Sequence, residues 1–128
     1  MTGRMRVPGP DHPITIEPTG ARVVARVGGR VVADTAAALT LREASYPPVQ
    51  YIPLADVDPA LLSPTPTTTY CPYKGTATYR TLTVDGVELA DALWVYEEPY
   101  PAVARIAGHA AFYPDKVDVT VGDRSGGD

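Results

Sequence analysis

The chain has little of what most chemistries leave in a sequence. Its 128 residues include one cysteine, one tryptophan, one phenylalanine and two histidines. A single cysteine cannot close an internal disulfide, which suits a reducing compartment, so a cytoplasmic location is expected. Positive charge is not in excess. Eleven lysines and arginines face fifteen aspartates and glutamates, a net charge of −4. The arginines are scattered without a basic stripe, so nucleic acid is not an expected partner. No apolar run approaches the ~18–20 residues of a membrane span. Arg4 and Arg6 have no hydrophobic signal core behind them. No Gly-x-x-x-x-Gly-Lys-Ser/Thr phosphate loop is present, and no cofactor is expected.

What is abundant points to β-structure. Fourteen prolines and runs of threonine and valine disfavour long helices. Two weak ends flank a single domain over residues 14–121. Residues 1–13 have three prolines and no apolar period and read as a flexible arm, and residues 122–128 are mostly glycine and charge and read as a disordered tail. The fold class expected is all-β and mainly antiparallel, tent- or barrel-like, with short helical turns near 56–62 and 101–106.

Three hairpins are predicted. The first joins residues 21–27 and 30–35 through Gly28-Gly29, the φ > 0 pair a two-residue turn needs. Its simple register puts Asp34 opposite Val23, on the apolar face. The next run, 36–43, alternates so that Glu43 continues the parity of Leu39 and Leu41. Asp34 and Glu43 are thus two carboxylates in phase with the core, either reaching solvent at a rim or edging a pocket. The second hairpin turns at Asp85-Gly86. It aligns Arg80 with Asp91 as a cross-strand ion pair and puts Tyr79, Trp94 and Tyr96 on one face. The third pairs 108–113 with 116–121 around Pro114-Asp115. Residues 45–66 read as a long connection with an extended piece at 49–53 and a capped turn after Asp56.

Residues 70–79, Tyr-Cys-Pro-Tyr-Lys-Gly-Thr-Ala-Thr-Tyr, concentrate the chemistry. A thiol, a cation, a glycine and three tyrosines fall in one turn and its strand, ingredients of a small-molecule site. Cys71 is a candidate nucleophile if a base such as His109 reaches it, or a buried thiol before a turn proline. Lys74 is a solvated turn lysine, or an inward one that needs Asp34, Glu43 or an anion as partner. Eight tyrosines against one phenylalanine bring many hydroxyls that need partners, which fits a partly wet cleft.

The stretches Val-Val-Ala-Asp (31–34), Tyr-Ile-Pro-Leu-Ala-Asp-Val (51–57), Cys-Pro-Tyr-Lys-Gly-Thr-Ala-Thr-Tyr (71–79) and Trp-Val-Tyr-Glu-Glu-Pro (94–99) resemble an uncharacterised bacterial and fungal domain family. That family is sometimes labelled nucleotidyltransferase-like. The resemblance implies a β-tent fold, in which antiparallel sheets pack at a steep angle. Many tent domains hold zinc with four cysteines; this chain has one and cannot. Nucleotidyl transfer would use Asp56-Val57-Asp58 as a metal-holding Asp-x-Asp. However, no Gly-Ser turn precedes it, and Asp58 before Pro59 reads as a helix cap.

The sequence therefore supports a small-molecule-binding domain whose enzymatic status is open. Tyr51, Tyr79, Trp94 and Tyr96 are expected to wall its cleft, with Asp56 as a further ligand candidate. Lys74, Asp34, Glu43 and Cys71 are the candidate catalytic groups, and no metal site is expected. The alternatives are nucleotidyl transfer, acid–base chemistry at Lys74 and a carboxylate, or a tyrosine-faced interaction module, a homodimer included.

Overall fold

A computed structural model describes residues 5–122. Among these residues, ten strands form two antiparallel sheets. They are β1 (Ile14–Pro18), β2 (Val23–Val27), β3 (Arg30–Thr35), β4 (Leu39–Glu43), β5 (Val49–Pro53), β6 (Leu62–Cys71), β7 (Gly75–Val84), β8 (Val87–Val95), β9 (His109–Phe112) and β10 (Asp118–Val121). The large sheet runs β1-β4-β5-β9-β8-β7-β6 and the small one β10-β2-β3. Helical structure among the described residues is limited to short 3-10 turns at Leu54–Asp56, Pro59–Leu61 and Pro101–Ile106. No helix among them is long and apolar enough to cross a membrane.

Strand alternation buries both faces of the large sheet. Ile52, Leu82, Leu93, Val95 and Ala110 point to one side and pack with Val23, Ala25 and Val32 of the small sheet. Tyr51, Ala77, Tyr79 and Ala111 point to the other and pack with Val103 and Ile106 of the last 3-10 turn. The first core is aliphatic. The second is rich in tyrosine, and the candidate site lies there.

Both glycine-bearing hairpins form, and both depart from simple register. Gly28 and Gly29 have φ of 56° and 85°, as their turn requires. A bulge then lets Ala25 pair with Ala33 while Arg26 pairs with Val31. The extra residue is Val32, so Val32 and Ala33 are both buried. Parity inverts beyond it: Val23 faces Thr35, and Asp34 faces Val24. Asp34 is thus not on the apolar face; its place there is taken by Thr35, 3 % exposed.

On β7 and β8, Leu82 pairs with Leu89 but Arg80 with Leu93. Two additional residues sit on β8, so parity survives and Tyr79 lies opposite Trp94. The expected Arg80–Asp91 pair is lost: Arg80 bonds Glu97 at 3.0 Å. Asp91 adopts φ 51°, and its carboxylate accepts from Thr65 and Thr67, each at 2.8 Å.

Two strands escaped the sequence reading. β1 pairs with β4. β6 includes Pro64 and Pro66 and still runs ten residues. It lies at the sheet edge, where missing N–H donors are tolerated. The third hairpin is not formed: β9 pairs with β5 and β8, and β10 crosses to β2 in the other sheet.

Candidate functional site

The Cys-Pro-Tyr-Lys-Gly turn links β6 to β7. Lys74 N–H donates to the Cys71 carbonyl at 3.2 Å, and Gly75 has φ 110°, a conformation that excludes most side chains. This turn aims the Lys74 side chain inward, where the residue is 8 % exposed. Its Nζ donates to Glu43 Oε1 at 2.5 Å. Cys71 Sγ lies 3.8 Å from the same nitrogen.

Glu43 ends β4 on the buried parity, as its sequence position predicts. Its second oxygen, Oε2, accepts from His12 Nε2 at 2.7 Å. The His12 ring stacks on Tyr73 with centroids 4.0 Å apart and planes 7° from parallel. Arg6 N–H donates to the Pro72 carbonyl at 2.8 Å, and its guanidinium lies 5.7 Å above the Tyr73 ring. The segment expected as a flexible arm therefore contacts the turn at several points. Burial works against the charged form of Glu43, but the Lys74 and His12 hydrogen bonds outweigh it and hold the carboxyl below its ordinary value.

This ion pair edges a cavity of about 320 Å³. Tyr51, Tyr79, Trp94, Tyr96 and Tyr113 also line it. Tyr79 and Trp94 reach it as cross-strand neighbours, and Tyr51 comes from β5 between β4 and β9. Trp94 Nε1 donates to the Tyr51 hydroxyl at 3.2 Å. The Tyr79 hydroxyl lies 3.0 Å from Thr69 Oγ1 and 3.2 Å from the Tyr113 hydroxyl. The Tyr96 hydroxyl makes no hydrogen bond among the described residues. Burial raises the Tyr51 and Tyr96 hydroxyls well above the ordinary tyrosine value, and the Tyr113 hydroxyl to about 12. They are neutral donors at physiological pH.

The other candidates fall elsewhere. Asp34 belongs to the small sheet and takes a two-pronged bond from Arg22, Nε to Oδ1 at 2.8 Å and Nη2 to Oδ2 at 2.5 Å. That guanidinium hydrogen bond holds its carboxyl below the usual range. Asp56 Oδ2 accepts from Thr35 Oγ1 at 2.7 Å. Asp58 caps its 3-10 turn, Oδ1 accepting from Ala60 N at 3.0 Å. No group of three or more metal-ligating side chains comes together among the described residues. His109, weighed as a base for Cys71, donates instead to the Ala107 carbonyl at 2.9 Å. The histidine at the site is His12. Its signal lies in the β1–β4 pairing, which sets Ile14 opposite Glu43, and β1 was not read from the sequence.

The fold and site define an all-β domain with a tyrosine-walled cavity edged by a buried lysine–glutamate pair. The family model for the domain of unknown function DUF427 matches residues 15–123, and the chain belongs to that family. No curated protein matches it.

Proposed function

We propose that the protein binds a small organic molecule in this cavity. One observation carries the reading: four aromatic rings expected at the site, Tyr51, Tyr79, Trp94 and Tyr96, line one concavity together with Lys74 and Glu43. A few polar groups among apolar and aromatic walls is the usual make-up of a ligand site, and about 320 Å³ is near the lower end of the ~300–1,000 Å³ such sites span. Rings lining a concavity favour a small ligand over a docked protein. The free thiol of Cys71 supports a cytoplasmic setting.

A thermal-shift screen with nucleotides, sugars, amino acids and keto acids tests this. A saturable shift that Tyr79→Ala or Lys74→Ala weakens is expected. A screen in which no compound shifts the protein sinks the reading. A shift that survives Lys74→Ala unchanged removes Lys74 from the site.

A second reading rests on the 2.5 Å Lys74–Glu43 bond inside the cavity. That geometry suits acid–base chemistry, with Glu43 accepting a proton and His12, 24 % exposed at its side chain, linking the carboxylate towards solvent. Turnover of a screened ligand that is lost in Glu43→Gln while binding persists supports it. Nucleotidyl transfer has no comparable support, because Asp56 and Asp58 are engaged in separate structural bonds.

A further inference from the structure

We propose that the cavity recognises its ligand through a carbonyl-type oxygen, the acceptor shared by carboxylates, amides and ketones; this rests on the binding reading above. The ground is an inventory of donors and acceptors on the cavity wall. An ammonium has three N–H donors and no acceptor. Lys74 directs one to Glu43, and the Cys71 sulfur at 3.8 Å is a weak acceptor for a second. No other acceptor meets Lys74 among the described residues.

The hydroxyls add to the surplus. Indole N–H can only donate, so the Tyr51 oxygen is the acceptor in its bond with Trp94. The Tyr51 proton then has no protein acceptor among the described residues. The Tyr96 hydroxyl has no partner there either, although the residue is 6 % exposed. No buried side-chain polar atom among the described residues is both sealed off and unpartnered. The Tyr96 hydroxyl therefore keeps some accessible surface, and Tyr96 is a wall residue of the cavity.

The carboxylate on the same wall is already engaged at both oxygens. Glu43 Oε1 is held by Lys74 and Oε2 by His12. Lys74, Tyr51 and Tyr96, which line one cavity, thus carry unspent donors, while each carboxylate oxygen already accepts one hydrogen bond. A ligand oxygen would satisfy donors that otherwise face empty space or water, which is where hydrogen bonding adds most to affinity. A ligand offering only N–H donors leaves those protein donors unsatisfied and must share carboxylate oxygens that already accept from Lys74 and His12, and a cationic one also meets the Lys74 ammonium. Glu43 already balances that ammonium, so the site asks for an oxygen but not for a full negative charge. The rings of Tyr79, Trp94 and Tyr113 favour a flat body behind that oxygen.

Trp94 is the only tryptophan in the chain, so its fluorescence reports on the cavity. Benzoate, benzamide and benzylamine share a ring and differ in the head group. Titrated into the full chain, benzoate or benzamide should saturate the Trp94 signal at least ~10-fold more tightly than benzylamine. Their order separates a charged from a neutral oxygen. Tyr96→Phe should weaken the better acceptor probe ~5–10-fold, the loss of one hydrogen bond. Lys74→Met should weaken it at least as much, with thermal melts checking that both variants fold.

Benzylamine binding as tightly as the acceptor probes overturns the inference yet leaves the cavity a ligand site. Acceptor affinities unchanged by Tyr96→Phe overturn it as well, as does silence of both acceptor probes up to ~10 mM, a limit on the order of −2.7 kcal/mol of binding. Only silence across the wider compound screen sinks the binding reading itself.

Discussion

Lys74 and Glu43 meet at 2.5 Å although 31 residues separate them. The turn before β7 supplies the ammonium and the end of β4 the carboxylate, and the two strands are not neighbours in the sheet. Their side chains are 11 % and 15 % exposed, so each would be costly to keep in place without the other.

Removing the carboxylate charge should therefore be felt. Glu43→Gln keeps the shape but leaves Lys74 without its counter-charge, and a loss of about 2 kcal/mol is expected, below the full cost of breaking a sealed pair. The pH dependence has a definite sign. The folded-state pKa of Glu43 lies below its ordinary 4.5. Its stabilisation is therefore fully present above the unfolded value and disappears as pH falls through the folded one. Urea unfolding of wild type and Glu43→Gln should show a gap that is constant near neutrality and narrows on acidification below pH 4.5. A gap that does not change with pH would show that the carboxylate charge contributes nothing.

Tyr51 and Tyr96 form a second contrast. Both residues line the cavity, but among the described residues only the Tyr51 hydroxyl is hydrogen-bonded to protein. Tyr51→Phe orphans the Trp94 indole N–H and should cost about 1 kcal/mol. Tyr96→Phe breaks no protein bond and should change stability by less than ~0.5 kcal/mol. Equal destabilisation in denaturant titrations would mean that the Tyr96 hydroxyl has a structural partner after all.

Asp34 should behave as a surface residue. Its bond with Arg22 joins side chains that are 42 % and 52 % exposed, and such pairs contribute roughly 0–1 kcal/mol. Asp34→Ala should stay within that range and leave ligand affinity at the cavity unchanged. A loss of binding would reconnect the small sheet to the site.

How much of this was legible follows from which signals are local. Turn chemistry located both glycine hairpins, and alternation put Glu43, Tyr79, Trp94 and Tyr96 on the correct faces. Asp34 was misplaced because the Val32 bulge leaves no mark in the alternation and inverts everything after it. The two-residue irregularity in β8 did no such harm, since an even shift preserves parity. His12 was overlooked because its importance depends on β1 pairing with β4, a contact that no nearby residue announces. The third hairpin failed for a related reason: Pro114-Asp115 does turn the chain, but the strands it separates belong to different sheets.

Gly75 links the signature turn to the geometry of the site. Its φ of 110° lies where a side chain is strained. A Cβ built there would meet only ordinary contacts, the nearest being the Glu98 carbonyl oxygen at 3.6 Å. The penalty for Gly75→Ala is thus conformational and not a clash, about 1–3 kcal/mol. Because Tyr100 N–H bonds the Lys74 carbonyl at 3.0 Å, relief of the strain would have to rotate the peptide that orients Lys74. Gly75→Ala should therefore lower the melting temperature and also weaken any ligand that depends on Lys74. Lower stability with unchanged affinity would separate the backbone of the turn from the placement of its lysine.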